Sequence, residues 1–164
     1  MDDNVKDKTE GKKLSFVQEL SDIWRRYDQV YSRWAERHGL STNAMSLVEE
    51  LQMRPEGMEP AAVADYLGVP RQTMTSTLDA LEKRGIIERL PHATDRRRKV
   101  IKLTAEGQTM ADGLVDELHR WVTNALCAVP HADRARAMAA VRLFCGRLES
   151  TLSSTTGALK DEAL

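Results

Sequence analysis

The sequence predicts a mainly α-helical fold that carries one small β-hairpin. Three observations lead there. Apolar residues recur every three or four positions along most of the chain, the spacing of amphipathic helices. Two stretches, 86–90 and 99–103, are instead short, β-branched and bounded by turn residues, as strands are. Just ahead of them, two short helical patterns meet at a glycine-containing turn, the arrangement of a helix-turn-helix.

Taken in order, residues 1–13 are charged and nearly free of apolar side chains, which predicts a mobile arm. Lys6, Lys8, Lys12 and Lys13 would attract a polyanion, but Asp2, Asp3, Asp7 and Glu10 largely cancel them. From Leu14 the stripe Val17, Leu20, Ile23, Trp24, Tyr27, Val30, Tyr31 and Trp34 predicts a long helix ending at Gly39. Five of the eight aromatics lie in it: Phe16, Trp24, Tyr27, Tyr31 and Trp34. Such a stripe reads as core or subunit interface, with part of it a candidate lining for a small-molecule cleft. Ser41 or Thr42 can cap the next helix, whose buried face is Ala44, Leu47, Val48 and Leu51. Pro55, Gly57 and Pro60 then break the chain.

The helix-turn-helix follows. Pro60 suits a first helical position, where the N–H it lacks would have no partner. Val63, Ala64 and Leu67 form the stripe, and Gly68 allows a sharp turn. The second helix is expected from near Pro70 to Arg84, with Met74, Leu78 and Leu81 buried and Gly85 closing its end. Arg71, Gln72, Thr73, Thr75 and Ser76 crowd its first turns with donors and acceptors. After the hairpin, Thr104 can cap a long helix that stops at Pro130. A last helix carries Ala135, Met138, Val141, Cys145, Leu148 and Leu152 along one side, so the two should form an antiparallel pair. Residues 153–164 are a polar tail that the pattern leaves unassigned.

Charge sharpens the functional reading. The net charge of −1 hides an uneven distribution, because residues 60–107 hold nine basic and six acidic side chains. Between Arg89 and Lys102 there are six Lys or Arg against one Asp. A cationic hairpin behind a polar-tipped helix is suited to phosphates and a DNA minor groove. Arg71, Gln72 and Thr75 are the base-edge candidates, since Arg pairs bidentately with guanine and Gln with adenine. Thr73 and Ser76 are better placed for phosphates. Arg96, Arg98 and Lys99 are wing candidates, whereas Arg89 and Lys102, on the strands, read as plain surface.

Other chemistry finds little support. The four histidines, His38, His92, His119 and His131, show no ligand spacing, and none pairs with a cysteine as a zinc site requires. There is no glycine-rich phosphate loop and no nucleophile elbow, so neither an enzyme nor a cofactor is expected. Cys127 and Cys145 lie 3 and 15 residues from Pro130, at different heights of a helical hairpin turning there. They read as two buried helical thiols rather than a disulfide or redox pair. No apolar run is long enough to span a bilayer and the N-terminus lacks an apolar signal segment, so a bacterial cytoplasmic setting is expected, nucleoid-associated when bound to DNA.

Together these residues resemble a known family. Leu67-Gly68-Val69 precedes the second helix, Leu81-Glu82-Lys83-Arg84-Gly85 ends it, and Asp95-Arg96-Arg97 with Leu103-Thr104-Ala105-Glu106-Gly107 closes the hairpin. Over roughly residues 14–152 the chain resembles the MarR (multiple antibiotic resistance regulator) winged-helix transcription factors. The resemblance implies a winged helix-turn-helix over 41–107, an N-terminal dimerisation helix over 14–40 and C-terminal dimerisation helices over 108–152. It implies a homodimer on a roughly palindromic operator, with half-sites about 34–36 Å apart. Arg97 would enter the flanking minor groove, oriented by a charge-assisted bond from Asp95. One departure is Pro70, where the family pattern commonly has Ser or a similar cap. The proline removes that side-chain cap, and a one-residue shift of the helix start would change which of Arg71, Gln72 and Thr73 faces a base.

A repressor of this kind would be released by a small aromatic or phenolic effector in a cleft near Trp34, His38 and Met45, for which plain interface packing is the competing account. Two other readings use the same fold: a winged helix that binds protein, which need not be so cationic, and a thiol-based oxidation sensor.

Overall fold

The computed structural model describes the backbone of residues 3–92, 94, 95 and 97–161, and the side chains of 15–92, 94, 95 and 97–152. The element order is α1 (Asp3–Arg37), α2 (Thr42–Gln52), α3 (Pro60–Leu67), α4 (Arg71–Lys83), β1 (Ile87–Pro91), β2 (Lys99–Leu103), α5 (Ala105–Cys127) and α6 (His131–Asp161). The fold is mainly helical with a two-stranded hairpin, as the sequence predicts. The chain divides into a larger unit ending at Leu114 and a helical unit beginning at Val115.

Two ends differ from expectation. Residues 3–13, expected as an arm, extend α1. Lys and Glu are good helix formers, and no proline interrupts the run, so helix propagates backward from the amphipathic part without needing a buried face. In the same way α6 continues through the unassigned tail to Asp161.

The core of the larger unit is built from small contributions of every element. Trp34 and Ala35 of α1, Met45, Leu47, Val48 and Leu51 of α2, and Val63 and Ala64 of α3 are buried. Met74, Leu78 and Leu81 of α4 join them, with Ile86, Ile87, Ile101, Ala111 and Leu114. Each large aliphatic side chain so enclosed contributes about 1.5–3 kcal/mol relative to exposure. The core runs across residue 40, because Trp34 and Ala35 pack with the winged helix itself.

The caps follow the sequence closely. The Ser41 hydroxyl accepts the Ala44 N–H at 3.2 Å, so Ser41 and not Thr42 caps α2. Gly68, at φ +64°, closes α3 in the left-handed conformation that glycine adopts at low cost. Pro70 precedes α4 with no side-chain cap, and the helix begins at Arg71. The strands pair antiparallel from Ile87 opposite Leu103 to Pro91 opposite Lys99. Met58 adds a short third rung, exchanging backbone bonds with Ile101 at 3.0 and 2.7 Å. Gly57 makes that approach possible, since a Cβ there would lie 2.4 Å from the Ile101 carbonyl oxygen.

In the helical unit, α5 ends before Pro130 and the Arg134 guanidinium of α6 donates to the Val129 and Cys127 carbonyls at 2.7 and 3.2 Å, capping the turn. Cys127 is exposed and Cys145 half-buried, which corrects the expectation of two buried thiols. Cys127 ends α5 at the turn, where few side chains surround it, and Cys145 lies within α6. Large apolar side chains remain exposed on α1 (Phe16, Val17, Ile23, Tyr27, Val30) and on α6 (Leu143, Leu148, Leu152).

Candidate nucleic-acid interface

The interface is assembled from the first turns of α4 and the hairpin. Burial of Met74, Leu78 and Leu81 fixes how α4 is rotated. With about 100° per residue, the opposite face is centred on Gln72 and Ser76 and flanked by Thr73 and Thr75. Arg71 projects from the first turn and is exposed. It approaches Asp65 at 3.9 Å, and both side chains are more than two-thirds exposed, so the pairing is weak. The Thr75 hydroxyl donates to the Arg71 carbonyl at 2.9 Å and the Ser76 hydroxyl to that of Gln72 at 3.1 Å. In this state both hydroxyls offer acceptors outward, which suits the amino groups of adenine and cytosine. Holding a phosphate, the role expected of Ser76, requires its hydroxyl to rotate.

The wing is pinned to α4 by Arg89, a residue expected to be plain surface. From β1 it donates to Asp79 at 2.6 Å and also to Glu82, both on α4. This three-member network corrects that expectation. Asp79 and Glu82 share a helix face at a spacing of three, which is the signal that could have flagged a cation between them. Arg84, at the end of α4, donates to the Gly39 carbonyl at 2.6 Å and ties the reading helix to the end of α1.

In the wing loop, the Asp95 carboxylate accepts the Arg97 backbone N–H at 3.0 Å. The bond expected from Asp95 to the Arg97 guanidinium is thus replaced by one to the backbone, because an aspartate bonds most readily to the N–H two residues on. The Arg97 side chain is left exposed, and among the described residues no acid pairs with it. Lys99 is exposed at the start of β2. Arg96 lies outside the described residues. Arg98, expected among the DNA contacts, instead forks onto Glu59, its Nε 3.0 Å from Oε2 and its Nη2 bonded to Oε1. That carboxylate holds the Arg98 pKa above its already high value, keeping the fork charged.

The residues expected near an effector are placed differently. Trp34 and Met45 are enclosed in the core, at 2% and 0% exposure, so each packs rather than lines an open cleft. His38 is half-buried, edge-on to Trp34 at 5.6 Å. Beside them, the Tyr31 hydroxyl donates to Glu49 at 2.8 Å and pairs with Ser46 at 3.2 Å. Burial, then the Glu49 carboxylate, pushes the Tyr31 phenol well above its usual range, so it stays protonated. A shallow polar depression of about 290 Å³ lies elsewhere, on α5, lined by Asp116, His119, Arg120, Thr123 and Asn124. Among the described residues no group of three His, Cys, Asp or Glu is arranged to hold a metal, and no helix is long and apolar enough to cross a membrane.

Comparison with known proteins agrees with this geometry. Residues 38–98, from the end of α1 to the wing loop, match the MarR family model. The chain is also 34% identical over 106 residues to the HTH-type transcriptional regulator PecS of Dickeya dadantii, across 63% of this chain and 60% of PecS. Over residues 38–98 the chain resembles the MarR family. It spans about 60% of the length of that relative. Two solved neighbours are MepR of S. aureus in a DNA complex and FabT of Streptococcus pneumoniae in complex with DNA. MepR is 18% identical at a TM-score of 0.70, over 81% of this chain and 97% of its own. FabT is 20% identical at a TM-score of 0.72, over 84% and 98%. At such identities the likeness is one of fold alone.

Proposed function

We propose that this chain is a member of the MarR family, a homodimeric, sequence-specific DNA-binding transcription regulator acting in the bacterial cytoplasm as a repressor on a pseudo-palindromic operator. One observation carries the reading: the exposed polar end of α4, with Arg71, Gln72 and Thr75, stands beside a hairpin whose exposed Arg97 and Lys99 are cationic. Gln72 and Arg71 read base edges in the major groove, Thr73 and Ser76 hold phosphates, Arg97 enters the flanking minor groove and Lys99 neutralises a phosphate. The exposed apolar side chains on α1 and α6 support the homodimer, since clustered exposed apolar surface marks an interaction site.

Sequencing duplexes selected by the purified protein from a random pool tests this. The expected product is an inverted repeat with half-sites about one helical turn apart. Enrichment of no motif overturns it. Release of the operator by small phenolic acids tests the effector; no release by any of them removes that part of the reading. A thiol-sensor reading is favoured by one observation, the exposure of Cys127. Cys127→Ser and Cys145→Ser variants that respond normally to peroxide exclude it.

A further inference from the structure

Glu59 and Arg98 are 39 residues apart in sequence, and no spacing rule joins them. Glu59 occupies the N-cap of α3, yet its side chain makes no capping bond. Both of its carboxylate oxygens are given to Arg98 instead, in the planar fork that only a guanidinium can supply. The backbone of Arg98 is fixed as well. Its N–H donates to the Asp95 carbonyl at 3.0 Å, and its own carbonyl accepts the His92 N–H at 3.0 Å. Arg98 is therefore the residue at which the wing loop, the hairpin and α3 are joined. Two of the five guanidinium donors are committed to one carboxylate, which fixes the plane of the group and offsets the charge a phosphate would meet. Arg97 and Lys99 on either side have no such acid among the described residues.

We propose that Glu59 is a positioning residue that holds the wing through Arg98, and that Arg98 braces the hairpin instead of neutralising a phosphate. The inference rests on the DNA-binding reading and divides the wing's cations by role. Arg97 and Lys99 face the duplex; Arg98 fixes the angle at which they meet it. The side chains are 53% and 29% exposed, so the pair acts through its two-point geometry and not through burial. Its effect belongs in the orientation of the wing more than in global stability.

The test measures operator affinity at several salt concentrations for the full chain and for Glu59→Gln, Arg98→Gln, the double variant and Lys99→Ala. Glu59→Gln and Arg98→Gln should each weaken binding about threefold to tenfold, with the double variant no weaker than either, as for residues acting as one unit. Their slopes of log affinity against log salt should match the parent. Lys99→Ala should flatten the slope by about 0.9 for each phosphate it leaves without a cation. A slope that flattens equally in Arg98→Gln overturns the proposal, as does Glu59→Gln binding more tightly with a steeper slope. Additive losses in the double variant also overturn it. Hydrogen exchange of the free protein is read alongside. The His92 and Arg98 amides should lose protection in Glu59→Gln, and unchanged protection refutes the brace. If the parent chain binds no duplex, the DNA reading fails by itself, and the exchange rates still decide whether Glu59 holds the wing.

Discussion

Thr104 shows how much one side chain can organise. Its hydroxyl donates to the Gly85 carbonyl at 2.6 Å and accepts the Gly107 N–H at 2.9 Å, while its own N–H donates to the Ile86 carbonyl at 3.1 Å. One residue thus caps α5 and fastens it to the end of α4. Gly107 completes the junction, because a Cβ there would lie 1.9 Å from the Ile86 carbonyl oxygen. Thr104→Ala should cost about 1–2 kcal/mol, read from the urea midpoint at unchanged m-value. Gly107→Ala should cost about 3 kcal/mol, because the atom it meets is backbone that cannot swing aside. An unchanged midpoint for Gly107→Ala would show that the junction relaxes freely. The cap is legible in the sequence, since a threonine ahead of an apolar run with Glu106 behind it has few other readings. The close approach at Gly107 is not, and neither is the pairing of Glu59 with Arg98. Both depend on which segments meet in space, and periodicity carries no information about that.

Among the elements, the helices and the hairpin are legible because each has a strong period or a cluster of β-branched residues between turn signals. Their buried stripes are equally clear: Met74, Leu78 and Leu81 are the side chains that α4 encloses. Leu78→Ala should cost about 2–5 kcal/mol, measured in the same denaturation experiment. Long-range pairings are not legible. Arg89 looks like surface in the sequence because its partners lie on another element, and the extension of α1 over residues 3–13 has no apolar face to announce it. The seam between α1 and α2 gives a pH prediction. The Tyr31 phenol is held neutral in the folded chain by burial and by Glu49, whereas an unfolded tyrosine ionises near about pH 10. Its contribution is therefore complete below about pH 10 and declines as pH rises toward the elevated folded value, because the unfolded chain releases its proton first. Tyr31→Phe should flatten the decline in stability above about pH 10. An identical decline in the variant would mean that Tyr31 is not the group responsible.

For the whole molecule, charge and apolar surface point to two separate jobs. Positive charge concentrates in residues 60–107, while the overall charge is −1, so attraction to a polyanion is local to the winged helix. If the exposed apolar side chains on α1 and α6 meet a second copy of the chain, as proposed, sedimentation should return twice the chain mass. Leu148→Glu on α6 should shift the protein toward monomer and weaken operator binding with it, since two half-sites are then no longer engaged together. The fold and the family resemblance are legible in the run from Leu67 to Gly107; the proposed partner surface is legible only as a stripe that core packing would explain as well. DNA reading by α4 and the wing together is probed best by the operator affinity of the Arg71→Ala, Arg97→Ala double variant against the parent on its best selected site. The expected loss is about a hundredfold or more, from one base contact and one groove contact in each protomer. Affinity equal to the parent's would mean that neither side chain meets the duplex.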